Sequence, residues 1–387
     1  MAFITNKKWM ENPKLNILNF KTGKIKIQET PDTDFSILGW KEKGIYILTY
    51  EGVKNKIYRY DGKKSEKIFD ENKSLIDAAV SQKEDIIFYG AGNSEPPEIY
   101  FNGKAVTNSG KIFSKRSHSV KKTIIWSASD GTEVEGVLSV PEDFDENKKY
   151  PLLLCVHGGP TWISRDYLNT AARIYPIESF TEKGFIVLEP NYRGSIGYGE
   201  KFKSLNFKNL GIGDYDDVIS GADYLISLGY ADSEKIGIMG WSQGGYISAF
   251  CSTYSKRFKA ISVGAGISDW TDYYYMTDIH TFTNQYLGEN PWNDPEIYKK
   301  TSPMSYIKNA CTPTMIQHGK SDTRVPVNNA YKLYQGLKDM KVPVELVLFE
   351  DMSHSPDKPG IQRAIMNQNL IWFSHYILGE SDENLMK

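Results

Sequence analysis

Cysteine is scarce in this chain: Cys155, Cys251 and Cys311 are scattered through 387 residues, with no CxxC pair. A disulfide framework needs dense, paired cysteines and a structural zinc site needs ligands at short spacing, so neither is expected and a reducing compartment is the natural setting. Cys251 reads as a small buried hydrophobe. An excess of charge of one sign is lacking too. Lys and Arg number 46 against 48 Asp and Glu, a net charge of -2, and no basic stripe stands out. Nucleic acid therefore finds no electrostatic footprint, and no polybasic helix points to a membrane surface. Long apolar runs are missing as well. No stretch approaches the roughly 18 uninterrupted apolar residues of a membrane span, and the opening MAFITNKKWMENPK has no apolar run of signal length. Carboxylates are nowhere paired with histidines at ligand spacing, so no metal or cofactor is implied. The expectation is a cytoplasmic protein whose partners are small neutral molecules or peptides, with no nucleic acid and no membrane.

What is present is aromatic residue, 25 Tyr among it, in a pattern that suits strands. The length exceeds the roughly 250 to 300 residues at which one hydrophobic core stops growing, so two domains are expected. Their rhythms differ. From about residue 15 to 115 short alternating segments follow one another: LNILNF, GKIKIQET, GIYILTY, NKIYRYDG, SEKIF, DIIFYG and PEIYFNGKAV, with Gly, Asn and Asp at the turns. Two units, Phe35 to Asp70 and Leu75 to Thr107, look alike, and a period of about 35 to 40 residues built of small antiparallel strands suggests propeller blades. Residues 15–30 read as the outer half of a third. The expected architecture for 1–118 is thus an all-β partial propeller of about two to three blades.

After Val120 the rhythm changes. TIIWSASDGTEVEGVLSVP reads as a hairpin turning at Asp130 and Gly131, and then PLLLCVHG, GFIVLEPNY, KIGIMGW, AISVGAGI, PTMIQHG and PVELVLFE alternate with helical patterns. Near-continuous apolar strands are buried on both faces, as parallel strands are. Val218, Ile219, Ala222, Leu225 and Ile226 fall at helical spacing between two of them. The expectation for 119–387 is an α/β domain with a mostly parallel sheet of about eight strands.

Gly240, Trp241, Ser242, Gln243 and Gly244 match GxSxG directly after the strand KIGIM and before the helical pattern YISAFCSTY. That is the context of a nucleophile elbow, in which glycines allow a sharp turn and the Ser hydroxyl stands at a helix N-terminus. A Ser of ordinary pKa needs a base, and in this fold an acid and then a His follow it in the chain. Asp322, in KSDTRVP after one strand, and His354, in DMSHSP after the next, lie at the carboxyl ends where catalytic groups gather. His354 would take the Ser242 proton and Asp322 would fix the imidazole. The other histidines have structural readings: His118 in the connection, His280 in an aromatic insertion, His375 on the C-terminal helix, and His318 at a strand end as the rival base. Asp351 and Asp357 read as solvated loop residues and Asp339 as a helix end. The turn HGGP, His157 to Pro160, offers the Gly159 N–H as an oxyanion donor beside that of Gln243, with His157 shaping the turn.

These residues resemble the prolyl oligopeptidase family of serine peptidases, most closely its acylaminoacyl peptidase branch. The resemblance runs from 123 to 380 through SDGTEVEGVL, HGGP, PNYRGSIGYG, GDYDDVISGADYL, GWSQGGY, MTDI, the LGENPW run, SPMSYI, HGKSDTRVP and the DMSH loop. It implies a C-terminal α/β-hydrolase domain, an N-terminal propeller restricting access, and Ser242, Asp322 and His354 as the triad. Relatives in two other branches place a Tyr hydroxyl in the oxyanion hole; the matching position here is His157, so a backbone hole is implied. The departure is the N-terminal part. A family propeller has about seven blades, and about 115 residues supply roughly two and a half. Open blades leave strand edges exposed, which suggests a homo-oligomer. No acidic pair for holding a free N-terminus carries over, and the insertion from Ser268 to Trp292 could line an apolar pocket or cover the core. Three functions compete: a serine peptidase acting on short peptides or N-acylaminoacyl substrates, a carboxylesterase on the same triad, and a scaffold with a dead hydrolase domain.

Overall fold

The computed structural model describes residues 1–387 apart from 7, 70–72, 93–94, 114–117, 169–173 and 382–387. Its N-terminal third is built of three small antiparallel sheets. Strands β1 (Ala2–Thr5), β2 (Lys14–Leu18) and β3 (Ile25–Gln28) make the first. The second contains β4 (Phe35–Lys41), β5 (Gly44–Glu51), β6 (Lys54–Tyr60) and β7 (Ser65–Phe69) in chain order. The third contains β8 (Ser74–Val80), β9 (Ile86–Ala91), β10 (Glu98–Phe101) and β11 (Lys104–Ala105).

The sheets stack face to face, and β5 shows how. Its run GIYILTY is apolar at successive positions because both its faces are covered. Ile45 and Ile47 pack with Leu15 of the first sheet, and Tyr46 and Leu48 pack in a cluster with Leu75, Phe88 and Tyr100 of the third. A partial propeller of two to three blades is what the chain forms, as two four-stranded sheets and one of three strands. The sequence pattern marks fewer strands than fold. β4 carries a register shift between Ile37 and Gly39, and β8 one between Leu75 and Asp77. Such bulges break the alternation by which a strand is read. β1 is only four residues long. The end of the first repeat, Asp70, lies outside the described residues.

The C-terminal part is an α/β-hydrolase fold. Strands β12 (Val120–Ser127), β13 (Glu133–Val140), β14 (Tyr150–Val156), β15 (Ile186–Asn191), β16 (Ala231–Trp241), β17 (Ala260–Gly264), β18 (Thr314–Gly319) and β19 (Val344–Phe349) form one sheet. The order is β12-β13-β15-β14-β16-β17-β18-β19, with the first hairpin antiparallel and the strands from β15 onward parallel. Leu152, Leu154, Ile236 and Ile238 point to the face covered by helices Gly213–Ser227 and Gln243–Tyr254. Leu153, Cys155, Val187 and Met239 point to the other face, against Phe180 and against Trp372 and Phe373 of helix Pro359–Phe373. Cys251 is buried in the first of these layers. No helix among the described residues is long and apolar enough to cross a membrane.

The small sheets dock on the segments that follow β14 and β15, on Glu135 of β13 and on the insertion that carries Phe282. The buried Lys203 ammonium donates to both carboxylate oxygens of Asp34 at 2.8 and 2.9 Å. The Val53 N–H donates to Glu135 Oε2 at 3.0 Å, the Gly52 N–H to the Gly197 carbonyl at 2.9 Å, and the Ser74 hydroxyl to Asp166. Trp9 and Met10 add apolar contact, Trp9 edge-on to Phe282 and Met10 within the main core.

Candidate active site

Strand β16 ends at Trp241, helix Gln243–Tyr254 starts at Gln243, and Ser242 alone makes the turn. Its φ of 60° and ψ of -117° lie where a residue with a side chain is strained. The turn is held from both sides: the Ser242 N–H donates to the Gly264 carbonyl at 2.9 Å, and its own carbonyl accepts from Tyr246 at 2.8 Å. Glycine is required beside it. A Cβ on Gly244 would fall 2.0 Å from the Val156 carbonyl oxygen, and one on Gly240 would fall 2.3 Å from the Gly244 carbonyl oxygen. Strand, turn and helix are thus pressed together until only glycine fits.

The loops after β18 and β19 bring the other two residues to this turn. Asp322 is buried, and its Oδ1 accepts the Arg324 and Val325 N–H groups, each at 2.9 Å. Its Oδ2 faces His354 Nδ1 at 2.8 Å, and His354 Nε2 lies 2.9 Å from Ser242 Oγ. With Nδ1 protonated toward the carboxylate, Nε2 is left to accept the hydroxyl proton. An unbroken line of hydrogen bonds runs from a buried carboxylate to a strained serine. That line can raise the nucleophilicity of Oγ and store its proton within reach of a leaving group.

The HGGP turn lies against the same serine. A Cβ on Gly158 would sit 3.3 Å from Ser242 Cβ, and Gly159 has a φ of 129°. Gln243 opens the helix, so its N–H has no acceptor within that helix. The Gly159 and Gln243 amides are therefore on the two segments that border Ser242. His157 braces the turn: its ring stacks on Tyr192 at 4.5 Å, Nδ1 meets the Gly158 carbonyl at 2.7 Å, and Nε2 meets Ser195 Oγ at 3.0 Å. Burial holds its pKa down at about 4, so the ring is neutral at neutral pH.

The remaining candidates stand apart from the serine. His318 is buried with Nε2 donating to the Val325 carbonyl at 2.7 Å and 3.6 Å from Asp322 Oδ2; it braces the acid's loop. His280 contacts the Tyr274 carbonyl and His375 the Glu380 carbonyl. His118 borders a cavity with Pro141, Glu142 and Asp143 on another part of the surface. Asp351 and Asp357 are exposed, and Asp339 accepts from Gln335 at the end of its helix. The Ser268 to Trp292 insertion covers the core with Trp270, Tyr273, Phe282 and Tyr286, while Tyr275, Met276 and Trp292 stay exposed. It is also tied to the acid's loop, since Arg324 pairs with Asp278 at 2.7 Å and Thr277 Oγ1 donates to the Arg324 carbonyl at 2.9 Å. Sequence spacing gave no sign of that tie, because an ion pair between residues 46 apart leaves no local pattern.

Fold and site define a class: an α/β-hydrolase fold with a nucleophile elbow and an Asp–His pair in line behind it. Within that class the chain belongs to the prolyl oligopeptidase family, whose model matches residues 172–380. It is 32% identical over 272 residues to the Uncharacterized peptidase YuxL of Bacillus subtilis, a match spanning 69% of this chain and 41% of that protein. It is 27% identical to Dipeptidyl-peptidase 5 of Porphyromonas gingivalis over 97% of this chain and 55% of that one. Among solved structures, the acylaminoacyl peptidase of Pyrococcus horikoshii superposes with a TM-score of 0.86 at 27% identity, covering 99% of this chain and 62% of that chain. The chain thus spans less than two thirds of the length of these relatives.

Proposed function

We propose that this chain is a serine peptidase that cleaves short peptides or N-acylaminoacyl substrates by acyl transfer through Ser242. The observation that carries the reading is the Ser242–His354–Asp322 line at 2.9 and 2.8 Å, set at a backbone turn strained into place. His354 Nε2 takes the proton as Oγ attacks the substrate carbonyl carbon. The Gly159 and Gln243 amides receive the charge that develops on the carbonyl oxygen. His354 then gives the proton to the leaving amine, and water drawn through the same base releases the acyl group. Likeness to an acylaminoacyl peptidase supports the substrate class.

The test compares wild type with Ser242→Ala on an aryl ester and on an N-acylaminoacyl arylamide of the same acyl group. Both activities are expected, and both should fall by roughly 10⁴-fold or more in the variant. Ester turnover without amide turnover would replace the peptidase reading by a carboxylesterase on the same residues. Turnover of neither, with Ser242 unlabelled by an aryl phosphonate, would leave a scaffold.

We also propose that two copies associate through the ends of the stacked sheets. Ile87 and Tyr89 pair across strands with Phe101 and Ile99, and all four are exposed on the outer face of the third sheet. Ile25 and Ile27 are exposed on the outer face of the first. Each face matches in kind those that already pack together inside the stack, so the end of one copy offers cover for the start of another. Light scattering on residues 1–387 should give a dimer or larger that dissociates in Phe101→Lys; a wild-type monomer at micromolar concentration would refute the association.

A further inference from the structure

Trp241 occupies the variable position between Gly240 and Ser242, and nothing in the elbow's geometry demands a side chain of that size there. Trp241 is 7% exposed and packs with Ala265, Met352 and Ile365. Gly264 lies so near that a Cβ would stand 2.2 Å from the indole. The indole N–H donates to the main-chain carbonyl of His354 at 2.9 Å. Thus the residue bonded to the nucleophile also grips the backbone of the residue that serves as its base.

The loop between β19 and helix Pro359–Phe373 has no regular structure of its own. Its other nearby anchors hold different points: the Ser321 N–H donates to the Met352 carbonyl at 3.1 Å, Gly319 lies against the Met352 and Ser353 carbonyls, Gln362 Nε2 donates to the Pro356 carbonyl at 2.7 Å, and Asp322 meets His354 at its ring. None of these bonds the His354 main chain. We infer that Trp241 is a positioning residue that sets the Ser242 Oγ to His354 Nε2 separation by fixing the His354 carbonyl to the end of β16. Because Trp241 precedes Ser242 in the chain, any shift of the strand end carries nucleophile and base together. Their spacing then survives motions that would separate two residues held by independent loops.

The inference rests on Ser242 and His354 working as a pair, and its test keeps the two apart. In Trp241→Phe the aromatic packing stays and the donor goes. The expected result is a kcat roughly 10- to 100-fold lower on the aryl ester, since small misplacements of reacting groups cost that much. KM should stay within twofold, and the rate of phosphonylation of Ser242 should fall in parallel with kcat. Replacement of Trp241 by β-(3-benzothienyl)alanine, which keeps the ring shape without the N–H, should behave like Phe; 5-fluorotryptophan, which keeps the N–H, should restore wild-type kcat. This second pair decides the matter if Trp241→Phe folds poorly. Wild-type kcat in the benzothienyl variant, or a loss expressed only in KM, would overturn the inference. Failure of the pair itself would appear differently, as wild-type protein that is neither active nor phosphonylated.

Discussion

The two regions of this chain solve burial in opposite ways. In the small sheets most strands cover one face and expose the other: β9 buries Phe88 between exposed Ile87 and Tyr89. In the large sheet β17 and β18 are buried at every position, as are β14 from Leu152 and β16 from Ile236 onward. Many of the described contacts between the regions are polar, Lys203–Asp34 and Glu135–Val53 among them, while Met10 joins the large core and Trp9 lies edge-on to Phe282. A join of that kind is characteristic of separate domains held together by specific bonds. The difference shows where precision resides. Strain, close packing and aligned hydrogen bonds gather at the carboxyl ends of the large sheet around Ser242, while in the small sheets a turn such as that at Gly62 has open space around it.

Glycine substitutions test that contrast most severely. Gly244→Ala forces a Cβ to within 2.0 Å of the Val156 carbonyl oxygen and so pushes the helix off the HGGP turn. We expect activity to fall by roughly 10³-fold, comparable with loss of an oxyanion donor, together with a lower melting temperature. Gly62→Ala in the turn after β6 meets no atom within 4 Å, although its φ is 99°. It should cost about 1 to 2 kcal/mol of strain and leave kcat unchanged. Equal losses of activity from the two variants would erase the distinction between the regions.

The same contrast explains what could be read from the sequence. The large sheet was legible strand by strand, because runs such as PLLLCV and KIGIM are what burial on both faces demands. So was the convergence of Ser242, Asp322 and His354, since chain order and strand ends fix which loops can meet. The small sheets were less legible. Bulges at Gly39 and near Leu75 interrupt the alternation of β4 and β8, and their covering depends on neighbours far along the chain. The Trp241 to His354 contact was invisible for a related reason: it joins a side chain to a main-chain carbonyl 113 residues away, and a carbonyl has no sequence signature.

Carboxylates extend the comparison to pH. In the small sheets Glu84 is held down at about 2 by Lys43 and Tyr46, and Glu98 at about 2 by hydrogen bonds from Thr107, Gly110 and Ser109 against the cost of burial. In the large domain burial instead pushes Asp214 up to about 7, with the nearby Asp217 charge adding to the rise. Asp214 Oδ1 accepts the Tyr215 N–H at 2.9 Å, but Oδ2 is buried with no hydrogen-bond partner among the described residues. A carboxyl whose pKa is higher folded than unfolded binds its proton more tightly in the native state. Its stabilising effect is complete below about pH 4, declines as pH rises toward 7, and is gone above that. Asp214→Asn removes the titrating proton while keeping the shape. It should match wild type near pH 4 and exceed it above pH 7, by on the order of a few kcal/mol and hence several degrees in melting temperature. Glu84→Gln should do the reverse, losing stability above about pH 4.5, by an amount that solvent screening at a partly exposed site keeps small. Thermal unfolding at pH 5 and pH 8 separates the cases. Parallel pH profiles for Asp214→Asn and wild type would mean that Asp214 is already solvated in the native protein, and that burial does not set its pKa.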